Sequence, residues 1–406
     1  MVLGTGHGTF GKPVTSPLLS SAINNQDLML TGDFNADGKP DLVIMDDYSR
    51  GFQVLLGNGD GSFQAPVDTT VSGLSNFAVG DFNSDGKTDL VVTTGSIGQV
   101  LISVYLSNGD GTFKVGSQYS ESYGGLHVAD VNRDGHWDLV VASFGQPLLV
   151  LLGNGDGTFK APSSGPIDFY SGGLVVGDFN GDGKPDISVG TYNGIAFLAG
   201  NADGTFQKAV YSNSTYQFCC QMVSGDVNGD GKLDLVTIEN GSGVLVMAGK
   251  GNGTFQSSIP FSAPGQVYSG NLVLGDFNSD GVEDIGLANQ DLHSQATLVS
   301  VYLSTPTVVL YPSAIRFGAK SVGTTSAPVS VNLTNSGNSK LNLSNIAVSG
   351  DFTLLDNCGK SLAVGQNCTL RVSFKPTAMG TRNGTIVITD SATTSPQAVT
   401  LKGSGK

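Results

Sequence analysis

One nine-residue stretch of this chain has the residue types and spacing of a metal-binding loop. Asp178–Asp186 carries carboxylates at positions 1, 5 and 9 and an amide oxygen at position 3. Glycine at position 6 lets the backbone turn sharply, and the carbonyl of position 7 can add a further oxygen. Calcium binds six to eight oxygen ligands at about 2.3–2.6 Å, so such a loop can wrap one ion.

The same pattern, D-x-N-x-D-G-x-x-D, occurs six times along the chain. The copies begin at Asp33, Asp81, Asp130, Asp178, Asp226 and Asp276, and successive copies are 48, 49, 48, 48 and 50 residues apart. A nearly constant spacing of this size indicates a repeat architecture with one supersecondary unit per copy. The pattern therefore predicts about one Ca²⁺ per unit, or six sites in all.

Four side chains and one backbone carbonyl are the predicted ligands in each loop. Position 1 is Asp33, Asp81, Asp130, Asp178, Asp226 or Asp276, and position 3 is Asn35, Asn83, Asn132, Asn180, Asn228 or Asn278. Position 5 is Asp37, Asp85, Asp134, Asp182, Asp230 or Asp280, and position 9 is Asp41, Asp89, Asp138, Asp186, Asp234 or Asp284. The carbonyls belong to Lys39, Lys87, His136, Lys184, Lys232 and Val282.

An alternative interpretation is that Asp and Asn only cap tight turns with their own backbone. Turn formation needs one or two such residues, whereas three crowded carboxylates repel each other unless a cation is present. Magnesium fits less well than calcium because it requires near-octahedral geometry and retains its waters. The apolar residue at position 2 cannot be a ligand, and we expect it to pack beneath the loop.

The residues between the loops predict four short antiparallel strands per repeat. In the second repeat, the apolar runs Asn76–Gly80, Leu90–Thr94 and Val100–Leu106 read as strands. Ser107–Phe113 then contains Asn-Gly and Asp-Gly pairs, which favour a hairpin because both tolerate positive φ. The polar residues after Phe113 form the fourth strand. Four strands in about 48 residues, repeated six times, predict a β-propeller.

The hairpin signal recurs at 57–63, 153–159, 201–206 and 251–255, and a variant opens the chain at 4–10. No such hairpin follows the sixth loop. The strand after Phe10 is therefore predicted to complete the last blade and close the ring. The closing Phe of each hairpin is predicted to lie in the core.

The loops and the N-G-D-G-T-F hairpins resemble the FG-GAP/VCBS repeat family, found in the propeller of integrin α chains and in many bacterial surface proteins. The resemblance covers about residues 1–305. It implies calcium in the loops and an all-β, six-bladed propeller of four-stranded blades, with a seven-bladed propeller as the alternative. Protein or glycan ligands are the partners that it implies.

Both motifs stop after residue 305, which predicts a second domain over 306–406. About seven strand-like runs separated by polar turns, such as Asn335–Asn338, predict an Ig-like β-sandwich. Short segments resemble the Ig-like modules related to the abnormal-spindle and hydin proteins. These segments are Phe317-Gly318, Leu333–Gly337, Ser349–Phe352, Phe374–Pro376 and Leu401–Gly403.

The acidity of the chain belongs mostly to the loops. The net charge is −14, and 18 of the 34 acidic residues are the aspartates at positions 1, 5 and 9 of the six motifs. Six divalent ions would add twelve positive charges and leave a net charge near −2. Lys and Arg total only 20 and form no basic stripe, so nucleic acid is not an expected partner. No apolar run is long enough for a transmembrane segment.

The state of the four cysteines depends on whether the protein is exported or cytosolic. Cys358 and Cys368 are predicted to form a disulfide if the protein is exported, with two free buried thiols as the alternative. Adjacent Cys219 and Cys220 are expected to be ordinary strand residues. The first eight residues lack the features of a secretory signal. We expect a secreted or cell-surface protein whose start is internal to a longer chain, because external calcium suits weak sites; the alternative is a cytosolic protein.

The sequence gives little support for catalysis. It contains neither H-E-x-x-H nor G-x-S-x-G. Its four histidines, His7, His127, His136 and His293, are scattered, and the His136 side chain is expected to point to solvent. We predict a non-catalytic adhesion or ligand-binding scaffold, monomeric or part of a longer chain. The alternative is a lectin-like or polysaccharide-active propeller protein.

Overall fold

The computed structural model describes residues 29–45, 51–96, 99–121, 125–142, 147–165, 173–191, 194–213, 221–239, 243–263, 272–290 and 297–406. All regular secondary structure in these ranges is β-strand. No helix in them is long and apolar enough to cross a membrane. The chain divides into two compact units, one of Met1–Gly225, Lys232–Leu274 and Gly286–Val301, and one of Asp226–Gly231, Gly275–Ile285 and Tyr302–Lys406.

The repeat region forms six separate antiparallel sheets, each made of consecutive strands. The first two sheets contain β1 (Met29–Gly32), β2 (Asp41–Met45), β3 (Gly51–Leu55) and β4 (Val67–Thr70), then β5 (Leu74–Gly80), β6 (Asp89–Ser96), β7 (Gln99–Ser107) and β8 (Phe113–Glu121). The third and fourth contain β9 (Gly125–Ala129), β10 (Asp138–Ala142), β11 (Leu149–Leu151) and β12 (Ser163–Ser164), then β13 (Leu174–Gly177), β14 (Asp186–Thr191), β15 (Gly194–Leu198) and β16 (Val210–Asn213).

The last two sheets of the repeat region differ in strand number. The fifth contains β17 (Met222–Gly225), β18 (Asp234–Glu239), β19 (Gly243–Met247) and β20 (Ile259–Ser262), and the sixth contains β21 (Leu272–Gly275), β22 (Asp284–Gln290) and β23 (Thr297–Tyr302). The predicted fourth strand of the sixth sheet, after Phe10, lies outside the described residues. The four-stranded antiparallel unit is confirmed, whereas closure of the ring and the number of blades stay predictions.

The strand positions follow from the apolar pattern of each repeat. The two middle strands are rich in Val, Ile and Leu, and in the fourth sheet every residue of β14 and β15 is buried. The fourth strand is more polar and alternates between half-buried and exposed residues in β4. Each of the first five sheets therefore has a buried centre and a more exposed last strand. The nine-residue loop always joins the first strand to the second.

Neighbouring sheets are locked together by aromatic side chains. The first strands of the first five sheets lie next to one another in chain order. Phe at position 2 of one loop packs edge-to-face on the hairpin Phe of the next repeat, with ring centroids 5.9 Å apart in Phe34–Phe113 and 5.8 Å apart in Phe82–Phe159. The predicted core roles are confirmed for Phe34, which is fully buried, and Phe159, which is 7% exposed, whereas Phe63, Phe113 and Phe277 are half-buried.

The C-terminal residues form a two-sheet sandwich, as predicted. One sheet has the order β24 (Val308–Tyr311), β26 (Val329–Asn335), β30 (Asn367–Phe374) and β28 (Phe352–Asp356). The other has the order β25 (Ala314–Lys320), β32 (Gln397–Gly405), β31 (Gly380–Asp390), β27 (Leu341–Val348) and β29 (Ser361–Leu362). Alternate residues of both sheets, among them Val331, Phe374 and Leu401, meet in one buried core.

Two covalent or polar links hold the ends of the sandwich strands. Cys358 and Cys368 are joined in a disulfide that closes the connection between β28 and β30. The Asp351 carboxylate accepts hydrogen bonds from Arg382 Nε at 2.5 Å and from the Thr377 amide at 2.9 Å. These bonds tie the turn before β28 to the start of β31. Cys219 and Cys220 lie outside the described residues.

The Asp351 carboxylate makes sandwich stability depend on pH. Hydrogen bonding by Arg382 is the main reason that the pKa of Asp351 falls to about 2. Since the folded-state pKa lies below the ordinary value of 3.8, the carboxylate stabilises the fold above pH 4, and this contribution is lost as pH falls from about 4 towards 2. We expect Asp351→Asn to remove that part of the acid dependence of the sandwich melting temperature. An unchanged profile would contradict this role.

Candidate metal centres

The six nine-residue loops share one backbone conformation. Position 6 is always glycine, with φ between +78° and +86° in all six copies. No atom lies near the place where a Cβ would be added at Gly38 or Gly183, so this φ, and not lack of space, requires glycine. Position 4 is also left-handed, at Ala36, Ser84, Arg133, Gly181, Gly229 and Ser279. Two left-handed residues within three positions fold the loop back on itself.

Side chains at positions 1, 3 and 5 close the loop by accepting hydrogen bonds from its own backbone. The position 1 carboxylate accepts from the amides of positions 5 and 6 at 2.7–3.1 Å in all six loops. The position 3 amide oxygen accepts from the position 5 amide at 2.8–3.0 Å. These are Asx-type turns, and they direct several oxygens to the same side of the chain.

The position 9 aspartate has a different environment from the other three predicted side-chain ligands. It is completely buried in all six repeats. In the second repeat, Asp89 accepts a hydrogen bond from the Phe82 amide at 3.0 Å and another from the Ser107 amide at 2.8 Å. One carboxylate thus joins the loop, the second strand and the start of the hairpin.

The same two bonds recur around the repeats. An amide near the end of the third strand, which begins the hairpin in the first five repeats, donates to position 9 at 2.6–2.8 Å in each, through Gly57, Ser107, Gly153, Gly200, Gly249 and Ser304. The position 2 amide donates at 2.8–3.1 Å in the first four repeats and the sixth, through Phe34, Phe82, Val131, Phe179 and Phe277. We call this arrangement of position 9 and its two amides the carboxylate bracket.

The sequence predicts the position 9 aspartates as ligands but does not predict the bracket. The signal that could have found it is the Gly or Ser near the end of each third strand, 14 to 20 residues after position 9. Position 9 is the first residue of the second strand, so its side chain faces the interior like the apolar residues that follow it.

Electrostatics at position 9 fit a cation nearby. Burial raises the pKa of Asp89 to about 6. The two bracket amides lower this pKa, and repulsion from Asp85 and Asp81 raises it. Burial likewise raises the pKa of Asp41, Asp138, Asp186 and Asp284, with added repulsion from their own loop carboxylates. A divalent cation among the three carboxylates would relieve this repulsion.

The side chain at position 7 partly neutralises the loop. Lys39, Lys87 and Lys184 reach the position 5 carboxylate of their own loops at 3.1, 2.8 and 3.3 Å. His136 takes this position in the third loop, where its imidazole packs against Gly155 of the following hairpin. The expectation that this side chain points to solvent is therefore wrong, because the hairpin covers part of the ring.

The donor set of each loop suits a hard cation such as Ca²⁺. In each copy the side chains of positions 1 and 3 accept hydrogen bonds from the same position 5 amide, and the side-chain oxygens of positions 1, 3, 5 and 9 are all carboxylate or amide oxygens. Within the described ranges, no three His, Cys, Asp or Glu side chains converge closely enough to form a metal-binding cluster. The predicted ligand set also includes an amide oxygen and a backbone carbonyl, which such clusters leave out.

Comparison with known protein families places these repeats in a defined class. The sheets and loops are those of repeat proteins with propeller-like four-stranded units. The FG-GAP-like repeat matches residues 33–92, 81–141, 130–189, 178–237 and 226–287, so each match runs from one loop past the next and the five matches include all six loops. The chain belongs to the FG-GAP-like repeat family. Residues 306–404 match the HYDIN/CFA65/VesB-like Ig-like domain.

Solved structures add a likeness in fold. A lectin from Agrocybe aegerita, described as specifically recognising non-reducing terminal N-acetylglucosamine, is 21% identical over 68% of this chain and 80% of its own, with a TM-score of 0.50. The PapD-like domain 7 of human CEP192 is 13% identical over 25% of this chain and 87% of its own, with a TM-score of 0.20. A comparison with curated proteins gave no match.

Proposed function

We propose that this chain is a non-catalytic, calcium-binding scaffold of a secreted or cell-surface protein, which binds a glycan or protein ligand through loops held by its repeats. The observation that carries the proposal is the six-fold recurrence of one acidic loop at the same place in the sheet, between the first and second strands. A single such loop could be a local site, whereas six equivalent loops stiffen the whole repeat region.

The calcium part of the proposal rests on the donor set of the loops. Positions 1, 3, 5 and 9 supply oxygens and position 7 supplies a carbonyl, which together approach the coordination that calcium requires. Bound calcium would neutralise the negative charge of the clustered carboxylates. The Asx turns and the carboxylate bracket hold these oxygens in place.

Secretion is supported by the disulfide of the sandwich, because such bonds persist in oxidising compartments. Ligand binding is supported by the family and by the lectin-like fold. Recognition of N-acetylglucosamine is described for the lectin, and it gives this chain a first ligand class to test. Glycans are favoured over proteins on this ground.

A glycan array tests the proposal directly. The purified chain, labelled and applied in calcium, is expected to bind a defined set of glycans and to lose that binding in EGTA. Immobilised glycoproteins with and without enzymatic deglycosylation separate glycan from protein recognition. A lyase assay by ultraviolet absorbance is expected to stay at background. Binding to neither glycans nor glycoproteins would overturn the ligand-binding role, and a lyase signal would overturn the non-catalytic one.

A further inference from the structure

The third loop differs from the other five at three positions. Position 4 is Arg133, where the other loops have Ala, Ser or Gly, and position 7 is His136, where they have Lys or Val. Position 8 is Trp137, the single tryptophan of the chain, where the others have Pro, Thr, Leu or Glu. None of these three side chains is among the predicted side-chain ligands of the metal. One repeat has therefore acquired a cation, an imidazole and an indole within five residues.

Trp137 lies at the surface, whereas the other aromatic residues of these motifs that the structure describes are buried or half-buried. Its side chain is 42% exposed, while Phe82 and Phe159 are 3% and 7% exposed. Between residues 125 and 165, it is the one exposed large apolar side chain in the described part of the chain. Exposing an indole forgoes the burial that would otherwise stabilise the fold, so a ring in this place is free to contact a ligand.

The loop and the following hairpin form a continuous surface. The imidazole of His136 lies so close over Gly155 that a Cβ on that residue would be 2.3 Å from the ring. His136 Nδ1 is buried without a hydrogen-bond partner, so packing on the hairpin holds the ring. Asp156, next to Gly155, is exposed, as are Arg133 and Asp134. We call Arg133, Asp134, His136, Trp137 and Asp156 the third-loop surface.

The backbone at Arg133 is unfavourable for its residue type. Its φ is +63°, a conformation that glycine adopts freely and that other residues adopt at a cost. The fourth and fifth loops have Gly181 and Gly229 at the same position. Ala36, Ser84 and Ser279 adopt the same conformation in the first, second and sixth loops. The third loop alone places a guanidinium at this position, four residues from the indole.

The polar groups of this surface are suited to hydroxyl recognition. The Asp156 carboxylate accepts hydrogen bonds from the Thr158 hydroxyl at 2.5 Å and amide at 3.0 Å, which fix its orientation. The Asp134 carboxylate accepts bonds from the His136 amide at 3.0 Å and the Asn132 side chain at 2.8 Å. Carboxylates can accept from two neighbouring hydroxyls, and a guanidinium can donate two parallel bonds.

We propose that the third-loop surface binds the terminal pyranose of a glycan, with the sugar's C–H face on the Trp137 indole and its hydroxyls on Asp156 and Arg133. The inference rests on the proposed ligand-binding function and assigns it to one repeat. A protein partner would require several apolar anchors, whereas this surface has one ring surrounded by charged groups. A pyranose matches that chemistry because one face is apolar and its edge carries hydroxyls.

Because Trp137 is the only tryptophan, intrinsic tryptophan fluorescence reports on this surface alone. We expect titration with N-acetylglucosamine, galactose or mannose oligomers in calcium to change the emission saturably for at least one series. On the glycan array, Trp137→Ala is expected to lower binding at least tenfold and Arg133→Ala several-fold. Tyr311→Ala, in an exposed aromatic residue of the sandwich, is the matched control and is expected to bind normally.

Each variant is compared with the wild type by thermal unfolding, so that loss of fold is distinguished from loss of binding. Trp137→Phe retains an aromatic face and is expected to recover part of the affinity. Array binding that persists at wild-type strength in Trp137→Ala and Arg133→Ala would overturn this site and leave the proposed function standing. A wild type that binds no glycan on the array would overturn both this site and glycan recognition by the scaffold.

Discussion

Replacing Asp89 by alanine is expected to lower the free energy of unfolding of the repeat region by about 2–5 kcal/mol, measured by urea unfolding. The buried amides of Phe82 and Ser107 both lose their acceptor. A buried backbone N–H without a partner costs about 1–3 kcal/mol, and two are left unpaired here. Asp89→Asn keeps one acceptor oxygen and removes the buried charge, so we expect an intermediate loss.

The comparison with position 1 of the same loop separates the bracket from metal binding. Asp81 is partly exposed and bonds only to amides of its own loop. Asp81→Ala is therefore expected to destabilise the protein mainly when calcium is present, whereas Asp89→Ala should still destabilise it in EGTA, because the Phe82 and Ser107 amides lose their acceptor whether or not calcium is bound. Asp110→Ala, in an exposed hairpin turn, is the control and should cost less than about 1 kcal/mol. An Asp89→Ala loss that vanishes in EGTA would contradict the bracket.

The bracket explains why the four acidic or amide positions of a loop are not equivalent. Position 1 has the chemistry of a turn and a ligand, but position 9 begins a strand and points into the core. A carboxylate buried there with no cation has a raised pKa, as Asp89 does. The proposed calcium and the bracket amides would both favour the ionised state of this side chain, and so would couple the loop to the sheet.

Much of this architecture was predictable because the repeat multiplies weak local signals. A single Asn-Gly turn such as that at Asn108 is weak, but its recurrence after each pair of apolar runs predicted the four-stranded unit. The edge-to-face pairs between repeats were not predictable in detail. Phe82 and Phe159 are 77 residues apart, and only the arrangement of consecutive sheets brings them together.

The third-loop surface is a feature that the sequence did not predict. The ligand pattern in the third loop is as regular as in the others, so the sequence predicts for His136 a backbone carbonyl ligand and a side chain that points to solvent. Its packing on Gly155 depends on where the hairpin lies relative to the loop. Periodicity identifies what the repeats share, and structure was needed to show that one repeat places its differences on an exposed surface.

Removing calcium is expected to produce the largest change in stability. A site bound only in the folded state contributes about 2.7 kcal/mol when calcium is 100 times its dissociation constant. If only three of the six sites unfold together, EGTA should lower the melting temperature of the repeat region by more than about 10 °C, given about 2–4 °C per kcal/mol for domains of 150–250 residues. Differential scanning calorimetry with calcium, with EGTA and with magnesium measures this shift.

The stoichiometry of binding makes the test specific to the loops. We expect elemental analysis of the desalted protein to find about six calcium ions per chain, and about five in Asp178→Asn, which weakens one loop and leaves its Asx turns largely intact. Magnesium at the same concentration should raise the melting temperature less, because it resists dehydration. If the protein holds no calcium and melts at the same temperature in EGTA, the loops are closed by their own hydrogen bonds alone, and their carboxylates must be neutralised by lysines such as Lys87 or by protons.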